Sequence, residues 1–572
     1  MTERVLTPHQ LYSLALDHYA AGRAERAASL LEALLTNAEL GPDAQNLLGV
    51  IAAQRGDLES SARHLRALVA ARPGNPDYHA NLVTTLERLG DTPGAIAAAF
   101  EWASALCHSK RWPEAESVLR RVLQKEPGHR PARFNLATAC EAQGKPEDSI
   151  AISLPLLRVY GPHDAISKNL IVRVEQVLSE ALLDESLVGT VAHSAPSVAE
   201  LAEYLPKVLC NLANSLARIG AYDASLMAYR RSQALAPAPL TEWNLALLLL
   251  LTGNFQEGWP AYEARWRWPD LSYPERDFAQ PYWAGEPLAG KSILITAEQG
   301  FGDTLQFCRF VPRLLEQASA VTLEVQAELH ALISHSLRET PVRVIPLQAN
   351  PALLAEPVEF DVYCGLMSLP FCLGIDMARY RAPDHYLRPS AVALERWRPF
   401  MPRSHQMRIG IVWAGSAGHY KDGERSIHDP VELQALATLA GIEWHSLQLG
   451  SASAMRAQFL PDCLDHAAEL DSFEATAGLL GHLDAVVTVD TMVAHLAGAM
   501  GLPVYLLLPF TPDWRWQLHR ADTPWYPRTK LYRQQQRGVW QAPISDLVSY
   551  LQRLVSLRKF GSGTHVLHSL AT

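Results

Sequence analysis

The chain has few cysteines, no long apolar run and no excess of basic residues, and each absence excludes a class of protein. Its seven cysteines among 572 residues are scattered and never spaced Cys-x-x-Cys, so we expect reduced thiols rather than a disulfide framework or a zinc site. The longest purely aliphatic run, Leu245–Leu251, is too short to span a membrane. The net charge of -10 argues against general nucleic-acid binding, because such binding requires neutralisation of phosphates.

Two further absences concern location and metals. Residues Met1–Gln10 are polar and charged, without an apolar signal core, and together with the cysteine usage this predicts a cytoplasmic protein. No Asp-x-Asp pair stands at the end of a predicted strand, and no His/Cys cluster has metal-ligand spacing. What the chain does contain is 48% apolar and 19% charged residues, which is typical of folded domains, and its length requires at least two of them.

The first half of the chain repeats with a period of 34 residues. An apolar position and a turn glycine both recur at this interval: Leu14, Leu48 and Leu82, and Gly22, Gly56 and Gly90. This resembles the tetratricopeptide pattern of antiparallel helix pairs, and we assign residues 1–258 to such an array. The next turn position, Lys110, follows Gly90 too early, so one long helix around Ala95–Ser109 is expected to serve two units. Residues Asp164–Pro206 are predicted to be helical but out of phase.

Stacked helix pairs leave a concave polar groove that usually holds a peptide or a protein partner. We therefore expect a polypeptide in this groove, with self-association and a purely structural spacer as the alternatives. Residues 259–290 are dense in aromatics interleaved with prolines, and they predict a rigid joint that docks the array on the next domain.

The second half alternates apolar strand-like and helical segments, which predicts parallel sheets with sites at the carboxyl ends of the strands. A polar, proline-rich passage around residues 379–402 divides it into two Rossmann-like domains, 291–400 and 401–572, with a cleft between them. The first domain opens with a strand at Lys291–Ala297, a glycine-bearing turn and a helical run from Asp303 to Gln317.

One strand-to-helix junction in the second domain suits a phosphate. A β-branched strand ends at Asp490 and an apolar helix begins at Thr491. The free N–H groups and the positive dipole end of such a helix favour an anion. Backbone N–H groups of Thr491 and Met492 are the candidate phosphate donors, and Asp490 and His495 are placed around the ribose or the sugar. The alternative is that Asp490 or Thr491 only caps the helix and His495 is a packed imidazole.

Three blocks of sequence carry a family resemblance. They are AEQGFGDTLQF at 297–307, GIVWAGS at 410–416 and VDTMVAHLAG at 489–498, with PDWRW at 512–516 and PWYP at 524–527 in support. The blocks resemble those of bacterial tetratricopeptide proteins that have a C-terminal glycosyltransferase domain related to ADP-heptosyltransferases and, more distantly, to O-GlcNAc transferase. The resemblance implies a GT-B fold after the α-solenoid, with the nucleotide-sugar held mainly by the second Rossmann-like domain.

The resemblance also implies roles for individual residues. Asp303 occupies the position of the proposed catalytic base, and its alternative role is an ordinary helix N-cap. Glu298 and Gln299 are acceptor-side alternatives in the same turn. The loop after the strand at Arg408–Trp413 would contact the donor phosphates through Ser416, Lys421 and Arg425, and its alternative is a solvated surface loop. No metal and no cofactor other than the nucleotide-sugar co-substrate is expected, since fixed cations and a helix dipole stabilise the leaving group.

The predicted function is protein O-glycosyl transfer by an inverting, metal-independent reaction, with the repeats selecting the polypeptide. Flagellin is a candidate acceptor, because the nearest functional analogy is a flagellin glycosyltransferase with this layout. Two alternatives are a repeat-based scaffold with an inactive GT-B half and a transferase that acts on a lipid-linked glycan. The sugar, the nucleotide base and the number of phosphates in the leaving group stay open at this stage.

Overall fold

The computed structural model describes residues 6–157, 196–268, 278–298, 300–347, 358–419 and 421–560. Contacts divide the chain into two compact units, Met1–Ala236 and Pro237–Thr572. Most of the predicted out-of-phase helical segment, part of the aromatic joint and Gln299 lie outside the described residues. The predicted domain boundaries at 258, 290 and 400 stay predictions.

The first unit consists of antiparallel helix pairs. Its helices are α1 (Pro8–Ala20), α2 (Ala24–Glu32), α3 (Gly41–Gln54), α4 (Leu58–Ala71), α5 (Pro76–Leu89), α6 (Thr92–His108), α7 (Trp112–Lys125), α8 (Arg130–Ala142), α9 (Pro146–Leu157), α10 (Pro196–Arg218) and α11 (Tyr222–Leu235). The turn at Gly90 has φ 78°, a conformation that glycine adopts without strain. Lys110 takes the same left-handed role with φ 57°, and α6 is the long helix that the shortened spacing predicts.

The second unit begins with one more helix pair and continues into two sheets. The pair is α12 (Pro239–Leu251) and α13 (Phe255–Tyr262), followed by a 3-10 turn at Glu263–Arg267. The first sheet has the strands β1 (Ser292–Thr296), β2 (Ala320–Val325), β3 (Arg343–Pro346) and β4 (Val362–Gly365). They are all parallel in the order β3-β2-β1-β4. Its helices are α14 (Phe301–Phe307), α15 (Ala327–Leu337) and α16 (Leu369–Cys372), with a 3-10 stretch at Cys308–Glu316.

The second sheet has six parallel strands in the order β10-β9-β8-β5-β6-β7. They are β5 (Met407–Val412), β6 (Ile442–Ser446), β7 (Leu464–Asp465), β8 (Ala485–Val489), β9 (Val504–Leu508) and β10 (Thr529–Arg533). The helices of this part are α17 (Ala391–Trp397), α18 (Asp422–Arg425), α19 (Pro430–Leu433), α20 (Arg456–Phe459), α21 (Phe473–Leu480), α22 (Met492–Ala499) and α23 (Gln541–Phe560). Strands β8 and β9 are buried along their whole length, as both-face coverage of a parallel sheet requires.

The predicted α-solenoid followed by two parallel, Rossmann-like sheets is confirmed. The helical run predicted at Asp303–Gln317 is present but begins at Phe301 and changes to 3-10 geometry at Cys308, within a stretch that contains Pro312. Strands β7 and β10 were not predicted. Both are short edge strands, and β7 has only two residues, too few to show a periodicity.

Candidate active site

Both sheets reverse their strand order beside the strand that carries a predicted site loop. In the first sheet the chain moves outward from β1 through β2 to β3 and then returns to place β4 on the other side of β1. In the second it moves from β5 through β6 to β7 and returns to place β8 next to β5. The crevice beyond the carboxyl ends at such a reversal is where open α/β sheets bind ligands. The turn after β1 and the loops after β5 and β8 therefore occupy the expected places.

The turn after β1 contacts the helix after β8. Helix α14 has Gly300 as its N-cap residue, so Asp303 lies in the first turn and is not the cap. Gly302 lies against His495 of α22 so closely that a Cβ at position 302 would come within 2.9 Å of the imidazole Cδ2. Glycine fits at this contact without strain, whereas a side chain at position 302 would require the turn or the imidazole to shift.

The Asp303 carboxylate is held by an arginine from the other sheet domain. Arg515 donates from Nη2 to Asp303 Oδ1 at 2.5 Å and from Nη1 to Asp513 Oδ1 at 2.7 Å. The Arg515 side chain is 10% exposed, whereas those of Asp303 and Asp513 are 27% and 34% exposed. The cation is therefore buried while both carboxylates are partly exposed to solvent.

Three carboxylates at the site have pKa values that are shifted in different directions. Burial raises the pKa of Asp303, although the charge of Arg515 opposes the shift. Burial and the nearby charge of Asp513 raise the pKa of Asp490 to about 6. Burial also acts on Asp513, but Arg515 holds its pKa below the usual range. Neighbouring carboxylates with perturbed pKa values are characteristic of sites that move protons or bind hydroxyl groups.

The N-terminus of α22 carries no side-chain cap. Thr491 is its N-cap residue, yet its hydroxyl pairs with that of Thr488 at 3.1 Å and makes no capping hydrogen bond to the helix. Thr491 and Met492 are both partly exposed, whereas the rest of the helix from Val493 to Ala499 is buried. The capping alternative thus does not describe Thr491, and the first N–H groups of this eight-residue helix are available to an anion.

The loop after β5 is held in place by hydrogen bonds to its backbone. Gln448 Oε1 accepts from the N–H groups of Trp413 and Ala414 at 3.0 and 2.9 Å. The N–H of Gly415 donates to Ser426 Oγ at 2.9 Å, and the Ser426 hydroxyl donates to Asp422 at 2.6 Å. A loop fixed in this way presents its side chains in defined positions.

The three predicted phosphate-binding side chains of this loop lie at different depths. Ser416 is exposed, and Lys421 and Arg425 are partly buried. The Arg425 guanidinium packs on the backbone of Gly415, where a Cβ would come within 2.5 Å of Nη2. The charge of Arg425 acts on Asp490 and that of Lys421 on Asp513. The loop after β5 therefore brings two cations to the carboxylates that surround the start of α22.

Glu298, the acceptor-side alternative, is fully engaged elsewhere. Its two carboxylate oxygens each accept from Arg265 at 2.9 Å, and Oε1 also accepts from the N–H of Met367. The side chains of Glu298 and Arg265 are 1% and 0% exposed. Because both oxygens of Glu298 are already bonded and the side chain is shielded from solvent, an acceptor hydroxyl cannot reach them, and Asp303 is the better candidate in this turn.

His495 is a buried residue that packs within the second sheet domain. Its ring is stacked on Trp516 with centroids 5.3 Å apart, and Nδ1 pairs with the Tyr526 hydroxyl at 2.9 Å. Burial, assisted by the charge of Arg515, lowers its pKa to about 3, so it is neutral at physiological pH. Its predicted place beside the ribose or the sugar is not what this packing favours.

Aromatic side chains from three parts of the unit meet at the junction of the sheets. Trp259 of α13 packs edge-on against Phe307 of the first sheet domain and against Trp514 and Trp525 of the second, with centroids 5.4–6.5 Å apart. Such contacts contribute to a rigid junction. Among the described residues, no group of three or more His, Cys, Asp or Glu side chains is placed to hold a metal ion.

The helical repeats and the two parallel sheets together define a repeat-bearing protein with two Rossmann-like domains in its second half. Residues 12–76 and 106–160 match models of the tetratricopeptide repeat, so the predicted repeats are confirmed. The chain is 25% identical over 522 residues to Protein FlbA of Caulobacter vibrioides, covering 82% of this chain and 85% of that protein.

Two solved structures are similar to about half of the chain. One is the ADP-heptose LPS heptosyltransferase II of E. coli, with 15% identity, 47% of this chain and 99% of that chain covered, and a TM-score of 0.33. The other is a family 9 glycosyl transferase from Veillonella parvula, with 12% identity, 48% and 99% coverage, and a TM-score of 0.34. Separately, none of the helices in the described ranges is long and apolar enough to cross a membrane.

Proposed function

We propose that this protein is a protein O-glycosyltransferase, which moves a sugar from a nucleotide-sugar donor to a hydroxyl group of a polypeptide. One observation supports this most strongly. The Asp303 turn of the first sheet domain and the uncapped start of α22 in the second meet at one cleft, with Arg515 between them. A proton acceptor on one side and an anion site on the other are the two requirements of glycosyl transfer.

In the proposed reaction Asp303 accepts the proton of the acceptor hydroxyl. The hydroxyl oxygen forms a bond to the anomeric carbon as the bond from that carbon to the phosphate oxygen breaks, and the (di)phosphate leaves with the electron pair. A single displacement of this kind inverts the anomeric configuration. The raised pKa of Asp303 supports the role of base, because a carboxylate with a pKa closer to neutrality is a stronger proton acceptor.

The donor is proposed to lie across the crevice between β5 and β8. Backbone N–H groups of Thr491 and Met492 and the side chains of Ser416, Lys421 and Arg425 would stabilise the phosphates. Asp490, whose pKa is about 6, is suited to accept hydrogen bonds from sugar hydroxyls rather than to face a phosphate. His495 is assigned to support the Gly302 contact. These fixed groups would take the place of a metal ion.

The acceptor is proposed to be a polypeptide held by the tetratricopeptide repeats, with serine or threonine of flagellin as the candidate. Peptide binding is the usual use of a repeat groove, and this supports a protein acceptor over a lipid-linked glycan. The scaffold alternative is disfavoured because the base, both cations and the open helix end are all present at the cleft. A cytoplasmic location, predicted from the sequence, fits an acceptor modified before export.

The test is intact-mass measurement of the host's flagellins and other abundant proteins with and without this gene. We expect a mass equal to a sugar to disappear in the deletion strain and to return with the wild-type gene. Asp303→Asn should lower the rate of transfer by about 10²–10⁴-fold, because the amide cannot accept the proton.

Asp546→Asn is the matched control, since Asp546 is exposed on α23 in the same compact unit. It should restore the added mass fully. Equal masses with and without the gene across these proteins would contradict the proposed transfer, and normal transfer by Asp303→Asn would remove Asp303 from the role of base.

A further inference from the structure

One guanidinium at the cleft contacts carboxylates from both sheet domains. Arg515 follows β9 in the second domain, and its partner Asp303 follows β1 in the first, 212 residues earlier in the chain. Its other partner, Asp513, belongs to its own loop. We infer that Arg515 is a positioning residue for the base: it orients the Asp303 carboxylate toward the cleft, and so completes the base only when the two sheet domains are in contact.

The Arg515 side chain is itself firmly oriented. Its guanidinium lies over the Trp514 ring at 4.3 Å from the centroid. The backbone N–H of Arg515 and its Nη1 both donate to Asp513 Oδ1, at 3.0 and 2.7 Å, and its carbonyl accepts from Trp525 Nε1 at 2.8 Å. With these groups engaged, Nη2 is directed at Asp303, and only one oxygen of that carboxylate is used by the pair.

The charges around Asp303 predict the direction in which its pKa should change when Arg515 or Asp513 is replaced. The groups that act on or beside its carboxylate are Arg515 and Asp513 from the second domain, Glu298 from its own turn, Tyr262 from α13 and the neutral His495 from α22. Burial, Asp513 and Glu298 raise the pKa of Asp303, and Arg515 and, to a smaller extent, a backbone hydrogen bond from Gly300 lower it. Removal of the Arg515 charge should therefore leave Asp303 protonated to a higher pH, and removal of the Asp513 charge should do the opposite.

The inference rests on the proposed function, and its test separates the two. A lysate of the host strain that lacks the gene supplies both donor and acceptor. Purified wild type, Arg515→Met, Arg515→Lys and Asp513→Asn are added to it over pH 5–9, and the initial rate of mass addition is measured. We expect the acidic limb of the rate profile to move to higher pH by about 1–3 units in Arg515→Met, since that is the usual effect of one adjacent charge on a carboxyl group.

Arg515→Lys should restore most of the wild-type profile, and Asp513→Asn should move the limb to lower pH. If wild-type protein adds no mass, the proposed function fails. If wild-type protein is active and the acidic limb stays in place in Arg515→Met, the positioning role is overturned. Should Arg515→Met be recovered only as unfolded protein, Arg515→Lys and Asp513→Asn decide the matter, and unchanged limbs in both refute the inference.

Discussion

Two arginine–carboxylate pairs lie in the same compact unit and differ in their exposure to solvent. In the Arg265–Glu298 pair both side chains are essentially inaccessible, and the guanidinium also donates to Glu263, to Ser368 and to the carbonyl of Tyr262. In the Arg515–Asp303 pair the arginine is buried but the carboxylate is 27% exposed, and Arg515 Nε has no hydrogen-bond partner in the described part of the chain.

The difference shows how a structural pair is told from a functional one. The donors of Arg265 hold four chain segments together. They bond to Tyr262 at the end of α13, to Glu263 in the 3-10 turn, to Glu298 after β1 and to Ser368 after β4. In the Arg515 pair the Asp303 carboxylate also interacts with the backbone N–H of Gly300 but stays partly exposed to solvent, and Arg515 Nε is a buried donor without a partner among the described residues. A buried pair with every group satisfied maintains the fold, whereas an incompletely satisfied pair at a cleft is arranged for a ligand or a proton.

The largest effect on stability should come from removing the arginine of the Arg265–Glu298 pair. Arg265→Met leaves the buried Glu298 carboxylate without its partner, and we expect the second unit to lose about 3–5 kcal/mol of unfolding free energy. Arg515→Met should cost clearly less, because Asp303 and Asp513 keep contact with water.

Urea denaturation of both variants, followed by tryptophan fluorescence, measures the difference, since most tryptophans lie in the second unit. Equal losses from the two substitutions would show that the Arg515 pair is as structural as the Arg265 pair, and the comparison between them would no longer hold.

The next largest effect concerns the contact between Gly302 and His495, which lies beside the Arg515–Asp303 pair. In Gly302→Ala the new methyl group would lie 2.9 Å from His495 Cδ2, which is shorter than a normal contact, so the turn with Asp303 must move. Because small displacements of reacting groups are costly, we expect the rate of mass addition to fall by about 10–100-fold.

The fold should change little in this variant, since alanine favours the helix more than glycine does. Gly128→Ala is the matched control, because nothing lies within 4 Å of a Cβ at that position, and it should retain full activity. Full activity of Gly302→Ala would mean that the close approach of α14 and α22 does not set the geometry of the base.

The same two ion pairs show which features of the site can be predicted from the sequence and which cannot. The glycine-bearing turn, the strand before it and the start of α22 were predicted because each is a local pattern of strand, glycine and helix. Arg265 lies in the aromatic-rich stretch that predicts a joint, and Arg515 lies in the PDWRW block that supports the family resemblance, but neither ion pair is predicted from these patterns. Their partners are distant in the sequence: Arg265 is 33 residues from Glu298, and Arg515 is 212 from Asp303. Ion pairs over such separations depend on how the sheets and helices pack, and no local spacing encodes them.

The loop after β5 shows the same limit on a smaller scale. Its glycine and its basic residues are visible in the sequence, but Gln448, which fixes its first two N–H groups, follows a different strand. A single amide among ordinary loop residues carries no recognisable signal. The structure identifies it because β5 and β6 are neighbours and their carboxyl ends meet.

The smallest expected effect is a gain in stability, whereas the other substitutions cause a loss. Asp490 has a pKa of about 6 in the folded protein and about 3.9 when unfolded, so the unfolded chain releases this proton more readily and ionised Asp490 disfavours folding above pH 6. Asp490→Asn should therefore raise the melting temperature at pH 7–8, with a gain that shrinks below pH 6 and vanishes near pH 4. Glu298→Gln should lower it throughout this range, because its partner Arg265 stays buried and charged. Melting curves at pH 4–8 distinguish the two, and a destabilised Asp490→Asn at pH 8 would place Asp490 among the structural carboxylates.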